Sequence, residues 1–391
     1  RGCAVFKFQA KTKVIIGLDA TKQLGNEVRA LNVQKVLIVT DRGIVKAGLL
    51  EQVTRSLTDV GVEYAVFDKV EPNPTDAALI AGAEFLKDEK AEAVIGFGGG
   101  SPLDAAKGIA VMAVNDGSVE PYCQGADPWP NTPKPIVAIP TTAGTGSEVS
   151  AAAMVNIPSR GMKMALFGPS ILPAVAVVDP MLTVGLPPRL TALTGIDALC
   201  HAVEAYVCAG ANPISDAIAE RAIALAADNL RQAFANGNNI NARSNMLLAS
   251  TMAIIAASNA GGLGIIHSLA QTLGGSYNLP HGLTIAVCFP YGLAYNAIAL
   301  PEKHAKISQM LGTDTTGMAA HTAAKTVVGA YKELLEDLDV HDDIKSLGMQ
   351  KADIPKLAEI CMLDGSTPVN PRTINAAGFE ALYEWAYNDS P

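Results

Sequence analysis

The sequence predicts an α/β domain over residues 1–185 followed by an all-α domain over residues 186–391. Three observations carry that reading. Short β-rich runs alternate with helical stretches through the first half, the pattern of a layered α/β sheet. After Leu186-Pro187-Pro188 the chain changes to long Ala- and Leu-rich helical segments with no convincing strand. The length of 391 residues leaves room for two or three domains of about 150 residues each.

In order, residues 35–40 (KVLIVT) read as a strand and 44–57 as the helix behind it. Glu63–Phe67 is a second strand, 75–87 a helix and 93–97 (AVIGF) a third strand. Gly98 to Ser101 forms a turn, and Pro102 opens the next helix at the first position, where its missing N–H is harmless. Residues 135–139 and Val175–Val178 are further strands. In the second half, 215–234 and 322–338 carry the clearest helical patterns. No internal repeat or low-complexity tract interrupts them.

Composition narrows the class. Hydrophobic residues make up 49% and charged residues 17%, so the chain can bury a large core and is not intrinsically disordered. The formal charge of −9 offers no general attraction for a phosphate backbone or an anionic lipid surface, so neither nucleic acid nor membrane is expected as a partner. Six cysteines (Cys3, Cys123, Cys200, Cys208, Cys288, Cys361), none in a C-x-x-C pair, read as buried reduced thiols. The opening RGCAVFKFQA has neither an initiator Met nor a charged-then-apolar signal segment. The best membrane candidate, residues 246–257, has 12 residues where a bilayer span needs about 20. A cytoplasmic chain is expected. From Ser244 to Pro301 there is no Asp, Glu, Lys or Arg, which places this stretch in the interior, around a core or a site.

Two loops suggest a nucleotide. No G-x-G-x-x-G and no G-x-x-x-x-G-K-[ST] occurs. Instead a strand leads into Gly98-Gly99-Gly100-Ser101 and a helix carrying Asp104 and Lys107. Successive glycines let backbone N–H groups approach a pyrophosphate, and the helix N-terminus adds a favourable dipole. An ordinary tight turn would use the same residues. A second loop, PTTAGTGSE (140–148), also follows a strand, and ligands collect at the carboxyl ends of such sheets. Asp41, just past strand 35–40, could accept from a ribose 2′-OH and favour NAD. Arg42 beside it could instead hold a 2′-phosphate, and Asp41 could be a plain turn residue.

One carboxylate and three imidazoles suggest a metal. Of six histidines, His201 lies four residues after Asp197 in a predicted helix (GIDALCHAVEAY), so both project from one face. His267 and His281 fall in the charge-free stretch, the second in a Pro-His-Gly turn. Such a set suits Fe2+ or Zn2+ rather than Ca2+ or Mg2+. His304, His321 and His341 are read as solvent-exposed.

Together these motifs resemble the iron-containing (group III) alcohol dehydrogenase family over nearly the whole chain. The resemblance rests on EPNPT (71–75), GGGSPLDAAK (98–107), PTTAGTGSE (140–148), LPPRLTALTGIDALCHAVEAY (186–206), GGLGIIHSLAQTLGG (261–275), PHG (280–282) and NPR (370–372). It implies a Rossmann-like N-terminal domain, a helical C-terminal domain and an active-site cleft between them. It implies that Asp197, His201, His267 and His281 hold the metal, most often Fe2+. It also implies nicotinamide-cofactor contacts from Asp41, Asn73, Gly99, Gly100, Ser101, Thr141, Thr142, Thr145, Ser147, Val149, Lys163 and Leu182. Asp104 of the glycine-loop helix joins them as a cofactor candidate. Many members carry a second histidine four residues after the third ligand, and here that position is Gln271. Glutamine hydrogen-bonds but does not titrate, so a proton relay there is not expected.

The expected activity is reversible hydride transfer between NAD(H) and a short aldehyde or its primary alcohol, running as an aldehyde reductase. Asn156, Leu263, Gln271 and Ser366 are the candidate pocket. An acid-bearing aldehyde such as sulfoacetaldehyde would need a cation such as Lys163 or Arg372. A dehydroquinate-synthase-like lyase would share fold and metal, but would need a basic pocket that the charge-free stretch does not offer. An apolar edge strand at 4–8 and the family resemblance suggest a homodimer or larger homo-oligomer.

Overall fold

The computed structural model describes residues 5–388 other than 124, 126 and 161. The chain forms two compact units. One spans Ala10–Gly185; the other begins at Leu186 and takes in the residues before Ala10.

The first unit is an α/β sandwich. Its strands are β1 (Lys13–Ile16), β2 (Lys35–Val39), β3 (Glu63–Phe67), β4 (Ala93–Gly98), β5 (Ile136–Pro140), β6 (Ala152–Ile157), β7 (Met162–Phe167) and β8 (Val175–Val178). Its helices are α1 (Leu24–Ala30), α2 (Arg42–Lys46), α3 (Leu50–Thr58), α4 (Asp76–Asp88) and α5 (Gly100–Met112). Six strands make one sheet in the order β1-β8-β5-β4-β2-β3, every pair parallel. Parallel strands are covered on both faces, which is why they read as unbroken apolar runs. In β2, Leu37 and Val39 enter one core with Leu79, Ala106 and Ile109, while Val36 and Ile38 enter the other with Leu24, Val53 and Leu57.

The chain runs outward from β2 to β3 and then crosses back to place β4 on the other side of β2. That reversal opens a crevice at the carboxyl ends of β2 and β4, where such sheets bind ligands.

Several expectations are corrected. Residues 5–8 form no strand, and Ala4 lies outside the described residues; the sheet edge is β1. Gln9 is held instead by Asn259 of the helical unit, with its N–H 2.7 Å from Oδ1. The helix expected over 44–57 is two helices, because the chain turns at Gly48 with φ 73°. The hairpin β6–β7, paired antiparallel from Ala152↔Phe167 to Ile157↔Met162, was not anticipated at all.

The second unit is helical among its described residues: α6 (Pro188–Val207), α7 (Pro213–Ala235), α8 (Ile240–Ala260), α9 (Ile265–Tyr277), α10 (His281–Asn296), α11 (Pro301–Met310), α12 (Ala320–Lys325), α13 (Val327–Asp337), α14 (Ile354–Leu363) and α15 (Ala376–Asn388). Helix α6 packs against α7, α8 and α10 and is buried almost all round, so it forms the centre of this unit. The Asn212–Ser215 capping box and Pro213 start α7 cleanly. The charge-free stretch supplies α9 and α10 and most of α8, largely buried as expected. The run 322–338 is split between α12 and α13.

No single helix among the described residues is long and apolar enough to cross a membrane. Helices α8 and α9 would suffice only as a pair, and they meet at a 109° bend.

Candidate functional site

The metal-ligand candidates come from three helices. Asp197 and His201 stand one turn apart on α6, His267 lies in the first turn of α9, and His281 is the first residue of α10. Asp197 Oδ1 lies 3.7 Å from His201 Nδ1, 3.7 Å from His267 Nε2 and 3.5 Å from His281 Nε2. Ligand atoms of Asp197, His267 and His281 fall within 4.8 Å of one another. His201 stands beside this triplet, its ring stacked on His267 with centroids 4.6 Å apart.

Asp197 Oδ1 and His267 Nε2 are both buried and have no hydrogen-bond partner among the described residues. A buried polar atom left unpaired costs about 1–3 kcal/mol, so two that face each other need a third body. Their spacing is too long for a hydrogen bond. It is close to the roughly 3.4 Å edge of a tetrahedron whose ligands lie about 2.1 Å from a metal. The residues therefore fit a divalent ion.

Electrostatics agree. Burial pushes the Asp197 carboxyl up, but the imidazoles of His201, His281 and His267 around it outweigh that and hold the group well below the usual carboxylate range. Burial pushes His267 down, yet Glu204 and Asp197 raise it to about 9. The pocket favours positive charge at this point, which is what a divalent cation supplies.

Glu204 was missed by sequence reasoning. It is fully buried on α6, three residues past His201 and seven past Asp197, hence on the same face. One oxygen accepts from His267 Nδ1, and the other accepts from the Ile266 N–H at 2.8 Å. That i, i+4, i+7 spacing of Asp, His and Glu inside an apolar helix was the available signal.

NPR (370–372) turns out to brace the same region. The Asn370 amide pairs reciprocally with Asn296 at 2.8 Å each way, and its Oδ1 accepts the Ile265 N–H at 3.3 Å, capping α9 from outside.

In the α/β unit the glycine loop lies as the spacing suggested. Gly98 has φ 147°, and a Cβ there would meet Pro102 Cγ at 2.7 Å. A Cβ on Gly100 would meet Thr145 Cγ2 at the same distance, so only glycine lets the two loops touch. Gly99 is the N-cap of α5 and has no side chain to cap it, leaving first-turn amides open to an anion. The loop borders a cavity of about 650 Å3 that Asp41, Arg42, Asp68, Lys69 and Glu71 also line. That cradle fits a nucleotide.

The other predicted cofactor residues divide by what their side chains do. Asp41 caps α2 through Ile44 N at 3.0 Å and also lines the cavity, so the turn role and an open carboxylate coexist. Asn73, at φ 58°, accepts from Lys163 Nζ at 2.7 Å and donates its N–H to Ser101 Oγ at 3.3 Å. Thr141 donates its N–H to Gly98 O, joining the loops, and Thr142 lies beside Gly99. Val149 and Leu182 are buried.

Asp104 and Ser147 are committed internally. Ser147 Oγ donates to Asp104 Oδ1 at 2.6 Å, and Lys107 Nζ donates to Ser147 Oγ and Ala152 O at 2.7 Å each.

Of the pocket candidates, Asn156 lies on β6 and bonds Pro74 O through its N–H. Leu263, Gln271 and Ser366 are half-buried in the helical unit, Gln271 one turn beyond His267. His321 and His341 are exposed, but His304 is buried, contrary to expectation. Its Nδ1 meets Leu300 O at 2.9 Å, while Nε2 has no partner among the described residues. Cys200, Cys208, Cys288 and Cys361 are buried free thiols and Cys123 is half-buried; Cys3 lies outside the described residues.

This fold has known counterparts. The family model described as iron-containing alcohol dehydrogenase matches residues 11–180, and the one for the C-terminal domain of that family matches residues 191–387. The chain belongs to the iron-containing alcohol dehydrogenase family and is thus an oxidoreductase of alcohols and aldehydes.

It is 39% identical to the 1,3-propanediol dehydrogenase of Klebsiella pneumoniae over 98% of this chain and 99% of that protein. It is 38% identical to the NAD-dependent methanol dehydrogenase of Bacillus methanolicus over 92% and 93%. A solved structure of 1,3-propanediol oxidoreductase superposes with TM-score 0.94 at 39% identity, covering 98% of this chain and all of that one.

Proposed function

We propose that the protein is an NAD(H)-dependent aldehyde reductase, interconverting a short-chain aldehyde and its primary alcohol. Asp197, His201, His267 and His281 would hold the metal, Fe2+ or Zn2+, with Fe2+ favoured by the family. The facing pair of partnerless atoms, Asp197 Oδ1 and His267 Nε2, carries the metal reading. A divalent ion bound there supplies Lewis-acid polarisation of a carbonyl oxygen.

The chain's own residues do the rest. Asp197 brings negative charge to the donor set, and three packed helices keep its members from drifting. The open amides at the start of α5 bind and orient a pyrophosphate, while Asp41 takes the ribose. Lys107, Asp104 and Ser147 tie the glycine loop's helix to the second loop, so that both present one surface to the cofactor. The NAD in the name of the methanol dehydrogenase relative supports the same cofactor here. Gln271, lacking a titratable proton, shapes the pocket, and the proton that completes the alcohol comes from solvent or a ribose hydroxyl.

A neutral substrate is favoured over an acid-bearing one because both candidate cations are engaged. Lys163 donates to Asn73, and Arg372 donates to Tyr295 O at 2.8 Å while lying 3.9 Å from the centroid of that ring. The relatives' names include methanol, 1,3-propanediol, choline and sulfoacetaldehyde, so the choice among such substrates is left to experiment. The exposed apolar side chains of Val5, Phe6 and Phe8 support self-association as a homodimer or larger.

The test is NADH and NADPH oxidation followed at 340 nm under anaerobic conditions, with Fe2+-loaded and chelator-treated protein. The panel is glycolaldehyde, lactaldehyde, propionaldehyde, 3-hydroxypropionaldehyde and sulfoacetaldehyde. Metal-dependent turnover with NADH and a neutral aldehyde is expected. No turnover with any of them, despite bound metal and nucleotide, would overturn the proposal.

A further inference from the structure

We propose, on the reading that Asp197 and the histidines hold a metal, that Glu204 is a positioning residue which locks His267 into the tautomer whose Nε2 can ligate. Three donors converge on this fully buried carboxylate. His267 Nδ1 and Cys200 Sγ address one oxygen, the thiol at 3.9 Å, and the Ile266 N–H addresses the other at 2.8 Å. A neutral imidazole whose Nδ1–H is donated to a carboxylate has an unprotonated Nε2, free to take a metal. That Nε2 is the buried atom left without a partner opposite Asp197.

The second oxygen makes the lock stiff. Ile266 and His267 are the second and third residues of α9, whose N-cap, Gly264, offers no side chain. Glu204 therefore caps α9 from α6, setting carboxylate charge against the positive end of the helix dipole while it holds the ring. The approach requires Gly264, where a Cβ would lie 2.7 Å from Glu204 Oε1 and 3.0 Å from Asn370 Oδ1. Both oxygens are fixed by partners on one helix, so rotating the ring would break the cap as well as the histidine contact.

Glu204→Gln separates the roles. An amide accepts through only one atom, so either His267 loses its acceptor or the Ile266 N–H faces an NH2 group. Binding of Co2+ and of Fe2+, the latter anaerobically, would be titrated against a chromophoric chelator, with the Co2+ visible spectrum and the metal-free melting temperature recorded alongside. Removing such an outer partner lowers metal affinity about 10- to 100-fold, and the Co2+ bands should shift.

A purely structural role would lower the metal-free melting temperature but leave the folded protein's Kd and Co2+ spectrum at wild-type values, and that result would overturn the proposal. If Glu204→Gln does not fold, Gly264→Ala decides, since it displaces the carboxylate without removing it. It should weaken metal binding in the same direction, and a wild-type Kd would refute the lock. Wild-type protein that binds neither ion would sink the metal reading itself and the lock with it. Tight wild-type binding with unaltered variants would sink only the lock.

Discussion

Lys107→Met tests whether the buried ammonium beneath the glycine loop is a structural tie. Lys107 is fully buried, 2.7 Å from Ser147 Oγ, 2.7 Å from Ala152 O and 3.9 Å from Asp104 Oδ1. Burial pushes it down from 10.5 to about 8, against the pull of Asp104 and Glu148. At neutral pH the charged form is thus held at about 3 kcal/mol relative to the unfolded chain, and methionine relieves that.

That figure already contains the attraction of Asp104, so what stands against the relief is Ala152 O, which loses its donor at about 1–3 kcal/mol. Ser147 Oγ and the Met154 N–H still donate to Asp104. The two effects nearly offset, and a change of no more than about 2 kcal/mol at pH 7 is expected.

The sign with pH is distinctive. Between pH 8 and 10.5 the unfolded chain binds the Lys107 proton more tightly than the folded one, so the wild type gains stability as pH rises through that window. The variant has no such gain, so relative to wild type it should lose about 2–3 kcal/mol from pH 7 to pH 10. Other groups titrating there cancel in the difference. Urea denaturation followed by Trp129 fluorescence in a Trp385→Phe background reports on the α/β unit, which contains both Trp129 and Lys107. A stability difference from wild type that stays flat from pH 7 to pH 10 would refute the reasoning.

Two further outcomes follow. Asp41→Ala removes the carboxylate from the cavity while Arg42 stays, so the NADH-over-NADPH ratio of kcat/KM should fall about tenfold, equivalent to about 1.4 kcal/mol, in steady-state kinetics; an unchanged ratio would show that Asp41 only caps α2. His304→Gln should grow more stable relative to wild type as pH falls below 6.5, by at most about 1.4 kcal/mol per pH unit, because burial pushes His304 down and its proton binds more tightly to the unfolded chain. Parallel urea melts at pH 7 and pH 5 check it.

Where the sequence was readable, one residue's environment sufficed. The strands at 93–97 and Val175–Val178 were recognisable because each is a short apolar run covered on both faces of the parallel sheet. His267 and His281 stood out because imidazoles in a stretch without counter-charge need a partner, and Asp197 and His201 because they stand four residues apart on one helix. The edge β1 and the hairpin β6–β7 were not, since partly exposed strands alternate less clearly and depend on neighbours far away in the chain. His304 looked exposed in PEKHAKIS because its neighbours are charged, yet helical geometry turns it inward while Lys303 and Lys306 reach Asp216 and Glu220.

The sequence by itself therefore determined the two-part architecture and the glycine-rich loops, and singled out the candidate donor residues, since each rests on local pattern or residue chemistry. Only the tertiary structure decided which oxygen of Asp197 faces which imidazole, that Glu204 stands behind His267, and that Asp104 and Ser147 turn to Lys107. Those outcomes depend on contacts between segments 40 or more residues apart, as with Ser147 and Lys107. Such distances are set by packing of whole helices and strands, and local pattern does not encode them.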